Sequence, residues 1–278
     1  MRGRLRGVLW HVGVLLLLAV VLYPLVWVAA ATFKPSAEIV GSLRLLPADP
    51  TAENYERAVE GVGGVGIGRY FLNSGLLAVL SVVGTVASSA LAAFAFARLR
   101  FRGRSAMFAV MISTLLLPFH VLIIPQYVVF QRLDLVDTYI PLLIGKFLAS
   151  EAFFVFLIVQ FIRTIPLELD ESAKIDGAGP WRIFWNIVLP LARPALVTTA
   201  IFTFIWTWND FFGPLVYLST PDKYPLPLAL QLFIDEASGS DFGALMAMSL
   251  LALVPVILFF LFFQRFLVEG VSTSGIKG

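Results

Sequence analysis

Residues 163–194 read RTIPLELDESAKIDGAGPWRIFWNIVLPLARP, a polar stretch in a chain that is otherwise mostly apolar. Pro166 suits the first turn of a helix, where its missing N–H would have no partner, and the acidic residues that follow favour the positive end of that helix. Gly177 predicts the end of the helix, because glycine readily adopts the left-handed conformation found there. Since Gly179-Pro180 excludes a simple continuation, the stretch predicts two short helical segments joined by a bend.

The composition is typical of a membrane protein. Of the 278 residues, 59% are hydrophobic and 14% are charged, and the mean hydropathy is +0.89. A soluble domain is nearer half apolar and a quarter charged. The chain has no cysteine, so it offers no disulfide, thiolate metal site or thiol nucleophile. We expect no metal site and no nucleic-acid partner.

Six apolar runs are each long enough to cross about 30 Å of hydrocarbon as a helix. Helix is the default conformation there, because backbone polar groups in lipid must pair within the segment, and the runs lack the alternation of barrel strands. The sequence therefore predicts an all-α membrane protein with six transmembrane helices in a single domain over residues 1–278. The predicted spans are 8–31, 71–97, 106–129, 139–162, 195–218 and 242–267.

Lysine and arginine predict the orientation, since the cytoplasmic segments of membrane proteins carry an excess of both. If both termini are cytoplasmic, thirteen of the 20 Lys and Arg residues lie inside and six lie outside. The remaining one, Lys146, lies within a span. We therefore expect a multi-pass protein of the plasma membrane, with the loop 163–194 facing the cytoplasm.

Four residues within the spans are candidates for a solute path. Glu151 lies near the middle of the fourth span, where an ionised side chain costs about 2.5–3.5 kcal/mol on insertion scales. Asn209 and Asp210 are polar residues in the fifth span, and the ring of Trp206 suits stacking against the C–H face of a sugar. Lys146 is five residues from Glu151, a spacing unsuited to an i,i+4 pair, so we expect each to have a different partner or water. For Lys146 and Glu151 the alternative is pairing with another subunit or snorkelling of Lys146, and whether the two face a pore stays open. For the fifth span it is packing together with an outer aromatic belt.

A family resemblance appears in the polar loop. Glu171-Ser172-Ala173, three residues, Gly177, nine residues and then Ile187-x-Leu189-Pro190 resemble the EAA loop of ABC-importer permeases. Ser172 departs from the usual alanine; it keeps a small side chain but adds a hydroxyl. The resemblance implies a cytoplasmic helix that docks into a cleft on an ATPase. The docking residues it implies are Glu171, Ser172, Ala173, Asp176, Gly177, Leu189 and Pro190.

The resemblance extends over nearly the full length. Segments similar to carbohydrate-importer permeases of the maltose MalG type are TFKPSAEI (32–39), FLNS (71–74), AFARLRFRGR (95–104), WNDF (208–211) and FQRFLVEG (263–270). The family implies the type I, MetI-like permease architecture, a second homologous permease subunit, two ABC ATPase subunits and an external solute-binding protein. It also implies import of a sugar or oligosaccharide by alternating access. A glycerol-phosphate-type solute is the alternative.

Two other function classes share the apolar helices. An intramembrane enzyme would need a catalytic pattern, but the chain has neither His-Glu-x-x-His nor Gly-x-Ser-x-Gly, and it has only two histidines. A channel-forming or structural subunit does not require the spacing from Glu171 to Pro190. No Gly-x-x-x-x-Gly-Lys-Ser/Thr loop occurs, so we expect ATP and Mg to bind on the partner ATPase subunits and no cofactor on this chain.

Overall fold

The computed structural model describes residues 2–41, 44–235 and 241–272, and within these ranges the chain is mostly helical, with no β-sheet. A π turn, Phe184–Val188, follows the tenth helix, and a 3-10 turn, Pro221–Lys223, precedes the fourteenth. The all-α prediction is confirmed. The helices are α1 Arg2–Ala31, α2 Ser36–Gly41, α3 Glu53–Glu60, α4 Ile67–Arg98, α5 Arg104–Thr114, α6 Phe119–Arg132, α7 Ile140–Phe147, α8 Ala152–Thr164, α9 Leu167–Ile175, α10 Pro180–Ile183, α11 Leu189–Leu191, α12 Arg193–Trp208, α13 Phe212–Tyr217, α14 Leu226–Asp235 and α15 Phe242–Ser272.

Within the described ranges, four helical segments are long and apolar enough to cross a membrane. A fifth span is added if Pro180–Leu191 and Arg193–Trp208, which are bent by 73°, count as one broken span. The first of the four, in α1, buries none of its most apolar stretch within the chain, as expected of a helix that faces lipid or another subunit. The four segments are Arg6–Ala31, Ile67–Arg98, Ile140–Thr164 and Phe242–Gln264.

Three of the six predicted runs are broken rather than continuous. Run 106–129 divides because α5 ends at Thr114 and Pro118 precedes α6 in an extended conformation, with ψ of 129°. In run 139–162, the spanning segment Ile140–Thr164 consists of α7 and α8 joined by the short link 148–151, in which Ala149 has a φ of +54°. Run 195–218 divides between α12 and α13. The prediction of one helix per run is therefore wrong for these three.

The chain forms two compact units. The first contains Met1–Arg69 and Ala229–Pro255, and the second contains Tyr70–Leu228 and Val256–Gly278. The prediction of a single domain over residues 1–278 stays a prediction, as does the cytoplasmic placement of both termini. The last predicted cytoplasmic residues, 273–278, lie outside the described ranges.

Buried polar contacts hold the first unit together. Asn54 donates hydrogen bonds of 2.8 Å to the carbonyl groups of Thr32 and Lys34, just after α1. The side-chain oxygen of Asn54, Oδ1, accepts a hydrogen bond of 2.8 Å from Nη2 of Arg57. Nε of Arg57 lies 3.0 Å from Oδ2 of Asp241, which precedes α15. The segment after α1 is thereby fixed, through α3, to the start of α15.

The core of the second unit joins the polar loop to two membrane helices. Small and branched side chains from α4, α8 and the second half of the loop pack together, and the rings of Phe94 and Phe184 lie 5.2 Å apart. Because α10, the π turn and the start of α12 contribute to this core, the loop is anchored to the bundle. The buried members are Ala90, Ala93, Phe94, Val155, Ile158, Val159, Ile162, Ile183, Phe184, Val188, Ala192 and Ala195.

Candidate functional site

The helix α9 begins the loop, as the sequence predicts. Its last turn closes in a Schellman motif: the N–H of Gly177 donates to the carbonyl of Lys174 at 3.0 Å, and the N–H of Ala178 donates to that of Ala173 at 2.8 Å. Gly177 has a φ of +79°, in the left-handed region that favours glycine. The glycine of the motif thus sets the angle at which the chain leaves α9.

The predicted docking residues divide into an exposed set and a packed set. Ala173 and Leu189 are half-buried and pack against the core of the second unit. The exposed set is Glu171, Ser172, Asp176, Gly177 and Pro190. The carboxylate of Glu171 makes no hydrogen bond or ion pair with the described part of the chain. Ile175, on the same helix, is 88% exposed. The loop therefore presents polar and apolar groups that the chain itself does not use.

A small groove lies beside the motif. Its volume is about 130 Å³, and it carries one acidic and one basic side chain, Asp176 and Arg182. The π turn Phe184–Val188 forms part of one wall, and such turns occur frequently at functional sites. The groove is thus held open by backbone that is anchored in the core. Its lining is Ala173, Asp176, Ala178, Arg182, Asn186 and Ile187.

A buried ion pair that the sequence analysis did not predict ties α9 to α4. Nε of Arg98 lies 3.0 Å from Oδ2 of Asp170, and both side chains are 5% exposed. The contact is an ion pair without the angle of a hydrogen bond, whereas Nη2 of Arg98 donates to the carbonyl of Ile165 at 2.7 Å. Arg98 therefore holds the end of α8 and the first turn of α9 together. The only signal in the sequence is the basic run that follows the second span.

A polar cavity of about 390 Å³ lies within the second unit. It brings together three of the four predicted path residues, Glu151, Trp206 and Asp210, and adds Lys146. Asn209 does not line it; this exposed side chain donates to the carbonyl of Ile205 at 2.8 Å and so closes the end of α12. The lining is Leu77, Ser81, Leu142, Lys146, Glu151, Trp206, Thr207, Asp210 and Pro214.

Lys146 and Glu151 form a direct ion pair in this cavity, with Nζ 2.6 Å from Oε1. The prediction that each has a separate partner is wrong, because it assumed a continuous helix. The chain leaves helical conformation between α7 and α8, with Ala149 at a φ of +54°, so the five-residue spacing brings the two groups together. Both side chains remain about one quarter exposed, at 25% and 28%.

The end of α7 packs closely against small residues of α4. A Cβ on Gly84 would lie 2.8 Å from the ring of Phe147, so glycine is required for this approach. One turn on, the hydroxyl of Ser88 donates to the carbonyl of Lys146 at 2.7 Å and satisfies one of the groups that a helix end leaves unpaired. These two residues position Lys146 at the cavity.

Asp210 lies at the second helix break, between α12 and α13. Its carboxylate accepts a hydrogen bond of 3.1 Å from the N–H of Gly213. A Cβ on Gly213 would lie 2.6 Å from Oδ2 of Asp210, so this glycine also makes room for the carboxylate. Glu151 and Asp210 thus both lie where a helix is interrupted. In membrane proteins, irregular backbone is tolerated only inside protein or beside water, and broken helices are typical of solute sites in transporters.

The two tryptophans of the fifth span have different surroundings. Trp206 is 50% exposed at the cavity, and its ring lies 5.2 Å from that of Phe154. Trp208 is 6% exposed and stacks on Phe204 at 5.6 Å, so it packs inside the unit. Of the two rings, Trp206 is the one available to a solute.

Asp137, in the loop before α7, is a second polar centre that the sequence analysis missed. Its carboxylate accepts hydrogen bonds from Nζ of Lys223 at 2.7 Å, from the Thr220 hydroxyl at 2.6 Å, and from the N–H groups of Ser219 and Thr220. Partial burial opposes ionisation, but these donors outweigh it and hold the pKa of Asp137 well below its usual range. The residue clamps the segment that follows α13.

Comparison with known proteins identifies the family. The family model described as "Binding-protein-dependent transport system inner membrane component" matches residues 58–273. The chain belongs to this family. As a binding-protein-dependent permease, it is a multi-pass subunit of the inner membrane and not an enzyme, and it works with a second permease, an ATPase and a solute-binding protein.

This permease is similar in sequence to two further permeases and in fold to one solved structure. The diacetylchitobiose uptake system permease protein of Streptomyces coelicolor is 33% identical, over 94% of this chain and 86% of the relative. The sn-glycerol-3-phosphate transport system permease protein of Brucella abortus is 34% identical, over 94% of both. The crystal structure of a bacterial ABC transporter involved in the import of the acidic polysaccharide alginate contains a chain with a TM-score of 0.82 and 24% identity, over 94% of this chain and 96% of that one. The structural likeness confirms the predicted permease fold.

Proposed function

We propose that this permease imports a sugar or oligosaccharide through the polar cavity and that residues 163–194 couple the cavity to the ATPases. One observation carries the proposal: the helices that hold the loop are also the helices that line the cavity. The loop packs on α4 and α8 and continues into α12. The cavity is lined by Ser81 of α4, Glu151 just before α8 and Thr207 of α12.

The coupling step follows from this connection. A short helix seated in the groove of a partner is a common recognition mode, and α9 offers Glu171, Ser172 and Ile175 for it. Closure of the ATPase pair on ATP would displace α9. The buried pair of Arg98 and Asp170, together with the shared core, would transmit the displacement to α4 and α8. Because packed helices move as rigid bodies, the cavity would open to the other side. ATP and Mg bind on the partner subunits.

The cavity suits a polyhydroxy solute delivered by the external binding protein. The half-exposed ring of Trp206 offers a face for the C–H groups of a sugar, as aromatic rings do in many ligand sites. Ser81, Thr207 and Glu151 offer hydroxyl and carboxylate groups for hydrogen bonds. The relative named for diacetylchitobiose supports this class, whereas the relative named for sn-glycerol-3-phosphate supports a phosphorylated polyol as the alternative.

Substitution of Glu171 tests the docking role. In the assembled transporter, we expect Glu171→Ala to weaken ATPase association about tenfold, which corresponds to the loss of one hydrogen-bonded carboxylate, about 1–3 kcal/mol. Substrate-stimulated ATP hydrolysis should fall with it. Glu168→Ala is the matched control, because Glu168 is an exposed carboxylate on the same helix but outside the motif. Equal association of both variants with the ATPase would refute the role of Glu171.

A further inference from the structure

We infer that the polar cavity takes an uncharged solute and rejects anions, because its single cation is already neutralised and one carboxylate is left over. The inference rests on the proposed function in one respect only, namely that the cavity is part of the solute path. It goes further by assigning the charge class of the solute to Lys146, Glu151 and Asp210.

The charges that line the cavity do not balance. Lys146 is the only basic residue among them, and its Nζ lies 2.6 Å from the carboxylate of Glu151. At this distance the carboxylate of Glu151 compensates the positive charge of the ammonium, so Lys146 adds little net attraction for a phosphate or carboxylate of a solute. Ser88 and Gly84 fix the backbone of this lysine, so the pair is positioned by packing as well as by charge.

Asp210 supplies the excess negative charge. Within the ranges that the structure describes, no Lys or Arg nitrogen lies within 4.0 Å of its carboxylate, and its hydrogen bond comes from the N–H of Gly213. That donor is a neutral backbone group, so it adds no positive charge beside the carboxylate. The lining therefore carries one positive and two negative groups. In a partly desolvated site, one uncompensated charge is enough to repel an anion strongly.

Neutral polar groups complete the lining. Ser81 is 1% exposed, and its hydroxyl makes no hydrogen bond within the described residues, so it is an unpaired buried group at the cavity wall. Buried hydroxyls are normally paired, which indicates that a solute hydroxyl or a water completes this site. Together with Thr207 and the face of Trp206, the lining matches the hydroxyl and C–H surface of an uncharged sugar.

A single thiol measures the charge of the cavity without knowledge of the solute. Since the chain has no cysteine, Thr207→Cys places a unique thiol in the lining. We would measure its modification in the assembled transporter by a cationic methanethiosulfonate (ethyltrimethylammonium) and an anionic one (ethylsulfonate). Each rate is normalised to that of a free thiol in solution. A neutral reagent reports access and folding.

We expect the normalised rate of the cationic reagent to exceed that of the anionic reagent by about tenfold. Asp210→Asn should bring the ratio close to one, and Glu151→Gln, which frees Lys146, should also reduce it. Glu168→Gln, a charge change on α9, should leave it unchanged. A ratio near one in Thr207→Cys itself, or a preference for the anionic reagent, would overturn the charge assignment and leave the solute path standing. No modification by any reagent, with or without ATP, would overturn the solute path and the charge assignment with it.

Discussion

Gly177 shows how one residue sets the geometry of the coupling loop. A Cβ added there would meet no atom within 4 Å, so a side chain would cause no clash. Its φ of +79° nevertheless costs an L-residue about 1–2 kcal/mol. Asparagine tolerates this region better than valine, which is β-branched. The loop therefore offers a pair of substitutions, Gly177→Asn and Gly177→Val, that differ in backbone strain at an open position.

Asp137 leads to a prediction about pH. Its pKa is lowered in the folded protein, so the unfolded chain takes up the proton first as the pH falls. The stability that the carboxylate contributes is therefore complete above the ordinary aspartate pKa of about 3.9 and is lost as the pH falls below it. We expect Asp137→Asn to lower the thermal unfolding midpoint of the purified transporter at pH 7. The difference from the native protein should begin to shrink as the pH falls through about 4 and should be smaller at pH 3 than at pH 7.

Asp134→Asn is the control for this titration. Asp134 is an exposed aspartate close by in the same loop, and its carboxylate makes no hydrogen bond within the described residues. It should change the midpoint little at any pH. An Asp137→Asn midpoint that stays equally far below that of the native protein down to pH 3 would contradict the role assigned to the ionised carboxylate.

At the scale of helices, the pair of Arg98 and Asp170 makes α9 part of the bundle. Asp170→Asn leaves a guanidinium that is 5% exposed without its carboxylate. Removal of one partner from a buried pair typically costs about 3–5 kcal/mol. We expect a clearly lower thermal midpoint and weaker coupling of ATP hydrolysis to transport. Glu168→Gln, on the exposed face of the same helix, should change stability by less than about 0.5 kcal/mol.

A double variant tests whether the loss of stability comes from the unpaired charge. Arg98→Met with Asp170→Leu removes both charges, and such apolar replacements of buried pairs are often neutral or stabilising. It should restore the midpoint relative to Asp170→Asn. If Asp170→Asn proves as stable and as well coupled as Glu168→Gln, the ion pair does not hold α9 to α4.

The helices show where sequence reasoning succeeds and where it ends. Apolar runs locate the membrane segments, because a stretch of about 20 apolar residues is a local property. The Pro166 start and the Gly177 end of α9 are local as well, and both were predictable. The break at Ala149 was not, because a left-handed alanine has no signature in the sequence. Its consequence, the pair of Lys146 and Glu151, was missed for the same reason.

Contacts between residues that are distant in the chain could not be predicted from the sequence either. Arg98 and Asp170 are 72 positions apart, and the hydrogen bond from Lys223 to Asp137 spans 86. Either carboxylate could face solvent until the tertiary packing is known. The sequence nevertheless identified Glu151, Trp206 and Asp210. Polar groups within a membrane span are energetically costly, so their presence there indicates a functional role. Asn209 shares this pattern, yet its side chain only closes a helix end.

In the whole transporter, movement of the loop is expected to change the side of the membrane to which the cavity opens. If it does, the side of the membrane from which the cavity is reached must depend on the nucleotide state and on an intact α9. Both conditions can be tested in one chain, since Thr207 lines the cavity and Gly177 ends α9. The two positions lie in separate parts of the second unit, one at the cavity and one in the loop.

The most direct measurement is the side-specific modification of Thr207→Cys in proteoliposomes, with and without ATP, by an impermeant thiol reagent added outside or inside. The partner ATPases would carry a change that blocks hydrolysis. With Gly177 or Gly177→Asn, we predict that ATP switches the side from which the thiol reacts. With Gly177→Val, the thiol should react from the same side in both states. An unchanged side in the native loop, or an equally complete switch in Gly177→Val, would contradict the coupling of loop and cavity.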